Sequence, residues 1–204
     1  MKLAVDKLAA ERGGRAVFTG LSFGVEAGTL LRVTGANGAG KTTLLRILSG
    51  LGAASEGSAV WHLVDDAVSP AEAACFVGHA NAFNDALTVR ENLSYAAALA
   101  GLDSSSPDIA TALDAFGVKS MINRRFGTLS QGQRKRCSLA RLLLDSNGRR
   151  RAWLLDEPFV ALDIDTQAQL ASVISAKLAA GGLVIYTSHQ AVEIDAANTQ
   201  EIAL

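Results

Sequence analysis

Hydrophobic and polar positions along this chain change their period several times, and each change marks an element. Short apolar and alternating segments cover residues 2–8 and 16–33, broken at Gly13-Gly14 and Gly28, which predicts strands. The apolar run from Leu30 to Val33 enters a glycine-rich stretch, after which Thr43 to Leu48 reads as a helix closing near Gly50 and Gly52. Residues 57–64 and 73–78 predict further strands. The texture then changes. Thr88-Val89-Arg90-Glu91 is a capping box that starts a helix running to about Gly101. Ser106-Pro107 starts another, with Gly117 past its end. Ser130-Gln131-Gly132-Gln133 repeats the S-x-x-Q form and opens a helix with apolar Leu139, Leu142 and Leu143. A strand (Ala152–Leu155), a helix (Asp165–Ala179, stopped by Gly181-Gly182), a strand (Leu183–Thr187) and a short C-terminal pair follow. Strands alternating with helices predict an α/β fold with a mostly parallel core sheet. The core spans 1–79 and 146–204, and a helical lobe is set into it at about 80–145.

Composition narrows the picture. The 204 residues are 49% hydrophobic and 19% charged, enough for one compact unit with a sizeable core. A net charge of −1 argues against a nucleic-acid surface, and 5% aromatic residues leave few rings for stacking bases. Cys75 and Cys137 lack metal-ligand spacing and read as small packed hydrophobes in a reducing compartment. No segment approaches the roughly 20 apolar residues that cross a bilayer. Lys2, Lys7 and Arg12 are offset by Asp6 and Glu11, unlike a transit peptide. The expectation is a soluble chain that reaches a membrane only through another subunit.

Three segments carry chemistry. Gly35-Ala36-Asn37-Gly38-Ala39-Gly40-Lys41-Thr42 is G-x-x-x-x-G-K-T between a strand and a helix. Its glycines let successive N–H groups curl around a phosphate at the positive end of the following helix. Lys41 is placed to reach the outer phosphates, and the Thr42 hydroxyl to take a place on Mg2+. A glycine-rich turn that binds nothing is disfavoured by the strand–loop–helix context. Trp153-Leu154-Leu155-Asp156-Glu157 is an apolar strand ending in two carboxylates, at the strand end where parallel sheets hold ligands. Asp156 is placed to hold Mg2+, and Glu157 to orient or deprotonate an attacking water. The plainer alternative is an acidic turn before Pro158. In Leu129-Ser130-Gln131-Gly132-Gln133 a second helix start offers another anion site, compatible with simple capping by Ser130 and Gln133.

Together these residues resemble the ATP-binding cassette (ABC) ATPase family, over nearly the whole chain and in the family's order. Gly35–Thr43, Thr43 included, looks like the Walker A loop and Leu154–Glu157 like Walker B with the catalytic glutamate. Leu129–Gln133 is similar to the LSGGQ signature, with Gln131 in place of its first glycine. Ala161-Leu162-Asp163 resembles the D-loop, and His189 the switch histidine. The resemblance implies a P-loop NTPase fold with a parallel core sheet, an N-terminal antiparallel β portion and an inserted helical lobe. It also implies ATP and Mg2+ as cofactors, and two copies sandwiching ATP head to tail. Ser130, Gly132 and Gln133 of one copy would then face the γ-phosphate held by Lys41 of the other, and His189 would touch the same phosphate.

Two departures matter. The position where the family stacks an aromatic ring on adenine falls near Arg12, whose guanidinium can lie on a π-face or remain a solvated loop residue. The glutamine expected after Phe76-Val77-Gly78 is missing. His79 or Asn81 is left to substitute for it, or to be an ordinary loop residue. His62 reads as a surface residue.

The strings Phe76–His79, Leu87–Leu93, Leu129–Arg136, Leu139–Leu143, Gly181–Ile185 and Ser188–Gln190 resemble the ATP-binding subunit of the haem exporter of cytochrome c biogenesis. That resemblance implies integral membrane partners and hydrolysis that drives release of a haem-loaded chaperone. It implies a peripheral place on the cytoplasmic face of the inner membrane, or the matrix face in a mitochondrion. No His or Cys pair is spaced as axial ligands, so direct haem binding is not expected. The rivals are the ATPase of another ABC exporter or importer, and a soluble ABC ATPase in a scaffold such as iron–sulfur assembly.

Overall fold

The computed structural model describes residues 1–64, 66–78, 82–102, 109–144, 151–188 and 192–204. Strands β1 (Lys2–Arg12), β2 (Arg15–Glu26), β4 (Glu56–Leu63) and β5 (Asp66–Val68) form an antiparallel sheet in the order β2-β1-β4-β5. Strands β3 (Thr29–Thr34), β6 (Ala74–Val77), β7 (Ala152–Leu155), β8 (Leu183–Thr187) and β9 (Asn198–Ala203) form a parallel sheet in the order β6-β7-β8-β3-β9. The predicted α/β class with a parallel core and an N-terminal antiparallel portion is the one observed. Strands β7 and β8 are buried at every position, which is why they read as unbroken apolar runs.

The parallel register decides where the chemistry gathers. Val33 pairs with Thr187 and Leu155 with Tyr186, so β3, β7 and β8 end side by side. The glycine-rich loop after β3, the carboxylates after β7 and the last residue of β8 therefore leave the sheet at one edge. Helix α1 (Lys41–Leu48) follows the loop and buries Leu44, Leu45 and Leu48 against Leu31, Val33, Leu154 and Ile185. Each such side chain contributes about 1.5–3 kcal/mol by leaving water. Trp61 of β4 joins this core and satisfies its indole by donating to the Leu48 carbonyl at 2.8 Å.

The chain divides into two compact units. One comprises Met1–His79, Arg149–Pro158 and Ser172–Leu204 and holds both sheets; the other comprises Ala80–Gly148 and Phe159–Ala171. In the helical unit, α3 (Val89–Leu99) and α4 (Ile109–Asp114) pack on each other and on a 3-10 turn at Ala140–Leu143. That turn continues α5 (Gln131–Leu139), so Leu142 and Leu143 lie past the α-helix proper. Both capping boxes form: Thr88 and Ser130 accept from the N–H of Glu91 and Gln133. Helix α6 (Ile164–Ala179) begins one residue before the predicted start.

Four points of the sequence pattern need correction or a limit. The C-terminal pair is, among the described residues, the one strand β9, whose partner is β3 rather than a neighbour in sequence. Short β5 and helix α2 (Pro70–Ala73) went unread, although Ser69-Pro70-Ala71-Glu72 carries a capping box. His62 is half-buried on β4 rather than a surface residue. The helix start at Ser106-Pro107 lies outside the described residues.

Cys137 is buried in α5, and desolvation pushes its thiol up to about 11 from an ordinary 9.0. The unfolded thiol ionises first as pH rises, so this group's contribution to stability is lost between about pH 9 and 11. We predict that iodoacetamide at pH 8 labels half-buried Cys75 well before Cys137, which reacts only on unfolding; equal native labelling rates would contradict the burial.

Candidate functional site

The loop after β3 is held by two close approaches that only glycine tolerates. Gly35 has φ 142°, and a Cβ there would lie 2.7 Å from the Leu204 carbonyl oxygen. Gly40 has φ 103°, and its Cβ would lie 2.5 Å from Val17 Cγ1 and 3.0 Å from Phe18 Cδ1. Gly40 is also the N-cap of α1, so no side chain caps that end, and the first turn carries no acidic residue. Such a helix start is left open to an anion. Lys41 is 7% exposed, and its ammonium donates to the carbonyls of Gly35 at 2.8 Å and Ala36 at 3.0 Å. The lysine thus curls back over its own loop.

Asp156 follows β7 and is 2% exposed. Its N–H donates to the Val77 carbonyl at 2.8 Å. Its carboxylate receives a hydroxyl on each oxygen: Thr42 Oγ1 donates to Oδ2 at 2.8 Å, and Thr187 Oγ1 donates to Oδ1 at 2.9 Å. The next residue, Glu157, has φ 48°, a left-handed backbone that costs about 1–3 kcal/mol for a side-chain-bearing residue. Its N–H donates to Thr187 Oγ1 at 2.8 Å.

A cavity of about 260 Å³ lies over this edge, lined by Arg12, Val17, Asn37, Gly38, Gly40, Lys41, Thr42, Thr43 and Glu157. It brings together eight sequence-singled residues from the β1 end, the loop, α1 and the β7 end. Gly35, Ala36 and Ala39 shape the loop without lining the cavity, and Asp156 is buried beside Thr42. The donor set at Asp156 and Thr42, one carboxylate and one hydroxyl, is all oxygen, which suits Mg2+ rather than a softer metal.

Ser130, Gly132 and Gln133 belong to the helical unit. Ser130 Oγ accepts from the Gln133 N–H at 3.3 Å, and Gln133 Oε1 accepts from the Ser130 N–H at 3.1 Å. Arg134 braces this helix start. It donates to the carbonyls of Leu129 at 3.1 Å and Gly127 at 2.6 Å, and lies 5.5 Å from the Phe126 ring centre. In the same unit Asp163 accepts from the Thr166 N–H at 2.8 Å. The Thr166 side chain, then its N–H, holds the Asp163 carboxyl below its ordinary range. His189, His79 and Asn81 lie outside the described residues.

Sequence reasoning passed over Thr187, Arg134 and Val17 as site residues. The signal for Thr187 was a threonine closing a strand of larger aliphatic and aromatic residues, Leu183-Val184-Ile185-Tyr186. Nothing in the local pattern pointed to Val17.

Residues 18–160 match a family model described as ABC transporter. The chain is 41% identical to a cytochrome c biogenesis ATP-binding export protein, CcmA, of Albidiferax ferrireducens, covering 99% of this chain and 96% of the relative. It is 45% identical to the protein of that name from Aromatoleum aromaticum, over 93% and 89%. Among solved structures it resembles a putative ABC transporter ATP-binding protein from Pyrococcus furiosus, with TM-score 0.81, 24% identity and coverage of 98% and 97%.

We predict that Gly40→Ala destabilises the chain by about 1–3 kcal/mol, read from urea unfolding, through left-handed strain and the clash with Val17. An unchanged midpoint would contradict the close approach.

Proposed function

The chain belongs to the ABC transporter family, among the cytochrome c biogenesis ATP-binding export proteins, and from that premise we propose a specific role for it. It is the ATP-binding and hydrolysing subunit of a haem-exporter type of cytochrome c maturation complex, in which hydrolysis drives release of a haem-loaded chaperone. The observation that carries the hydrolytic reading is the 2.8 Å bond from the Thr42 hydroxyl to the Asp156 carboxylate. It ties the phosphate loop to the end of β7 across 114 residues of sequence.

In this reading the whole chain is one ABC ATPase domain, and ATP lies in the cavity. The loop N–H groups from Gly35 to Thr43 and the open start of α1 receive its phosphates. Lys41 exchanges the carbonyls of Gly35 and Ala36 for phosphate oxygens, so the pairs seen here keep the ammonium satisfied until nucleotide arrives. Thr42 and Asp156 would hold Mg2+, which when bound neutralises charge on the phosphoryl oxygens. Glu157 orients the attacking water and accepts its proton, and His189 contacts the γ-phosphate. Arg12 stacks on adenine, which its place on the cavity wall supports.

The partners are a second copy of the cassette, supplying Ser130, Gly132 and Gln133 to the opposite nucleotide, and integral membrane subunits. His79 or Asn81 substitutes for the missing glutamine in sensing them. Neither nucleic acid nor haem is a ligand of this subunit. Among the described residues no helix is long and apolar enough to cross a membrane. The chain sits peripherally at the cytoplasmic face of the inner membrane, or the matrix face if mitochondrial.

We predict that Glu157→Gln lowers kcat about 10²–10⁴-fold while ATP binding and the closed dimer persist, as measured by turnover and size-exclusion chromatography. Full turnover would remove Glu157 from its role. Arg12→Ala should raise the KM for ATP with kcat nearly intact. An unchanged KM would return Arg12 to solvent.

A further inference from the structure

We infer that Thr187 is a positioning residue of the hydrolytic site, whose single hydroxyl orients the Asp156 carboxylate and the Glu157 backbone together. The inference rests on the ATPase reading above and goes beyond it, because Thr187 neither lines the cavity nor belongs to any motif in the sequence.

The polarity of the hydroxyl follows from its neighbours. A threonine hydroxyl has one proton and two lone pairs. The Asp156 carboxylate can only accept, so the proton goes to Oδ1 at 2.9 Å. The Glu157 N–H can only donate, so it takes a lone pair at 2.8 Å. Both needs are met by one rotamer of a β-branched side chain, which is stiff at χ1. Thr187 is 0% exposed at the end of an entirely buried strand, and that packing limits its freedom further.

The two hydroxyls on Asp156 are not equivalent. Thr42 lines the cavity, where a ligand competes for its oxygen; Thr187 is sealed in the sheet. The sheet-side bond is therefore the one that persists when nucleotide occupies the loop. It keeps the carboxylate plane fixed while Thr42 changes partner. On its other lone pair the same oxygen holds the N–H of Glu157, at the residue whose φ of 48° aims its side chain at the cavity wall. Left-handed conformations of this kind persist only where surrounding bonds over-determine them. One oxygen atom thus sets the relation between the group assigned to the metal and the group assigned to the water.

The test uses the full chain with three substitutions. Thr187→Val keeps the shape and removes both hydrogen bonds. Thr187→Ala does so without added bulk, should the second methyl overpack the site. Thr187→Ser keeps the hydroxyl. We expect kcat to fall about tenfold or more in the valine and alanine proteins, with the KM for ATP and ATP binding in EDTA within about twofold of the parent. Thr187→Ser should restore turnover to within about threefold of the parent. Without nucleotide, hydrogen exchange at the Glu157 amide should be faster in the valine and alanine proteins than in the parent. Wild-type kcat in both hydroxyl-free variants would overturn the inference while leaving the ATPase reading intact. So would an equal loss in all three, or a loss shared equally by ATP affinity in EDTA. A parent chain that binds no ATP would sink the reading itself, and this inference with it.

Discussion

A carboxylate buried to 2% exposure at the end of an apolar strand must be given hydrogen bonds, and the sheet unit is organised around meeting that demand at Asp156. An ionised carboxylate left bare in such surroundings costs several kcal/mol. Here both of its oxygens are met by threonine hydroxyls from two other elements, α1 and β8. Neither hydroxyl arrives unless β3, β7 and β8 run parallel in the observed register. The register depends in turn on continuous apolar burial of β7 and β8. Core packing and site geometry are one constraint seen from its two ends.

The cationic side of the site follows the same logic. Lys41 is 7% exposed, and its ammonium is satisfied by two loop carbonyls. The loop can turn those carbonyls toward it because Gly35 and Gly40 occupy backbone regions closed to other residues. The resulting concavity sets a cation, an open helix start and Glu157 around one cavity of about 260 Å³. A cation beside an open helix start favours an anionic ligand over a neutral one. The helical unit prepares its own helix start differently. Arg134 spans from the Leu129 and Gly127 carbonyls to the face of Phe126, while Ser130 and Gln133 cap each other.

Much of this was legible in residue order. The glycine-rich loop after β3, the capping boxes at Thr88 and Ser130, and strands β7 and β8 are local features whose signals sit within a few residues. They appear where the pattern places them. Elements that exist because a neighbouring strand offers them an edge were harder to read. Strand β9 is polar and exposed for most of its length, so its sequence does not announce that it joins the parallel sheet beside β3. Asp66–Val68 forms a strand because β4 offers an edge to it, not because three residues have a pattern of their own.

Residue order alone was enough to specify which groups are present and what each can do: the glycines that curl, the lysine, the paired carboxylates and the capped helix starts. These are local matters of backbone freedom and side-chain chemistry. Folding in three dimensions chose which of those groups meet. It selected Thr187 as the second donor to Asp156 and brought Val17 against Gly40. It also brought Arg12 to the rim of the cavity. Such meetings arise from strand register and from packing between separate elements, and no local period encodes them.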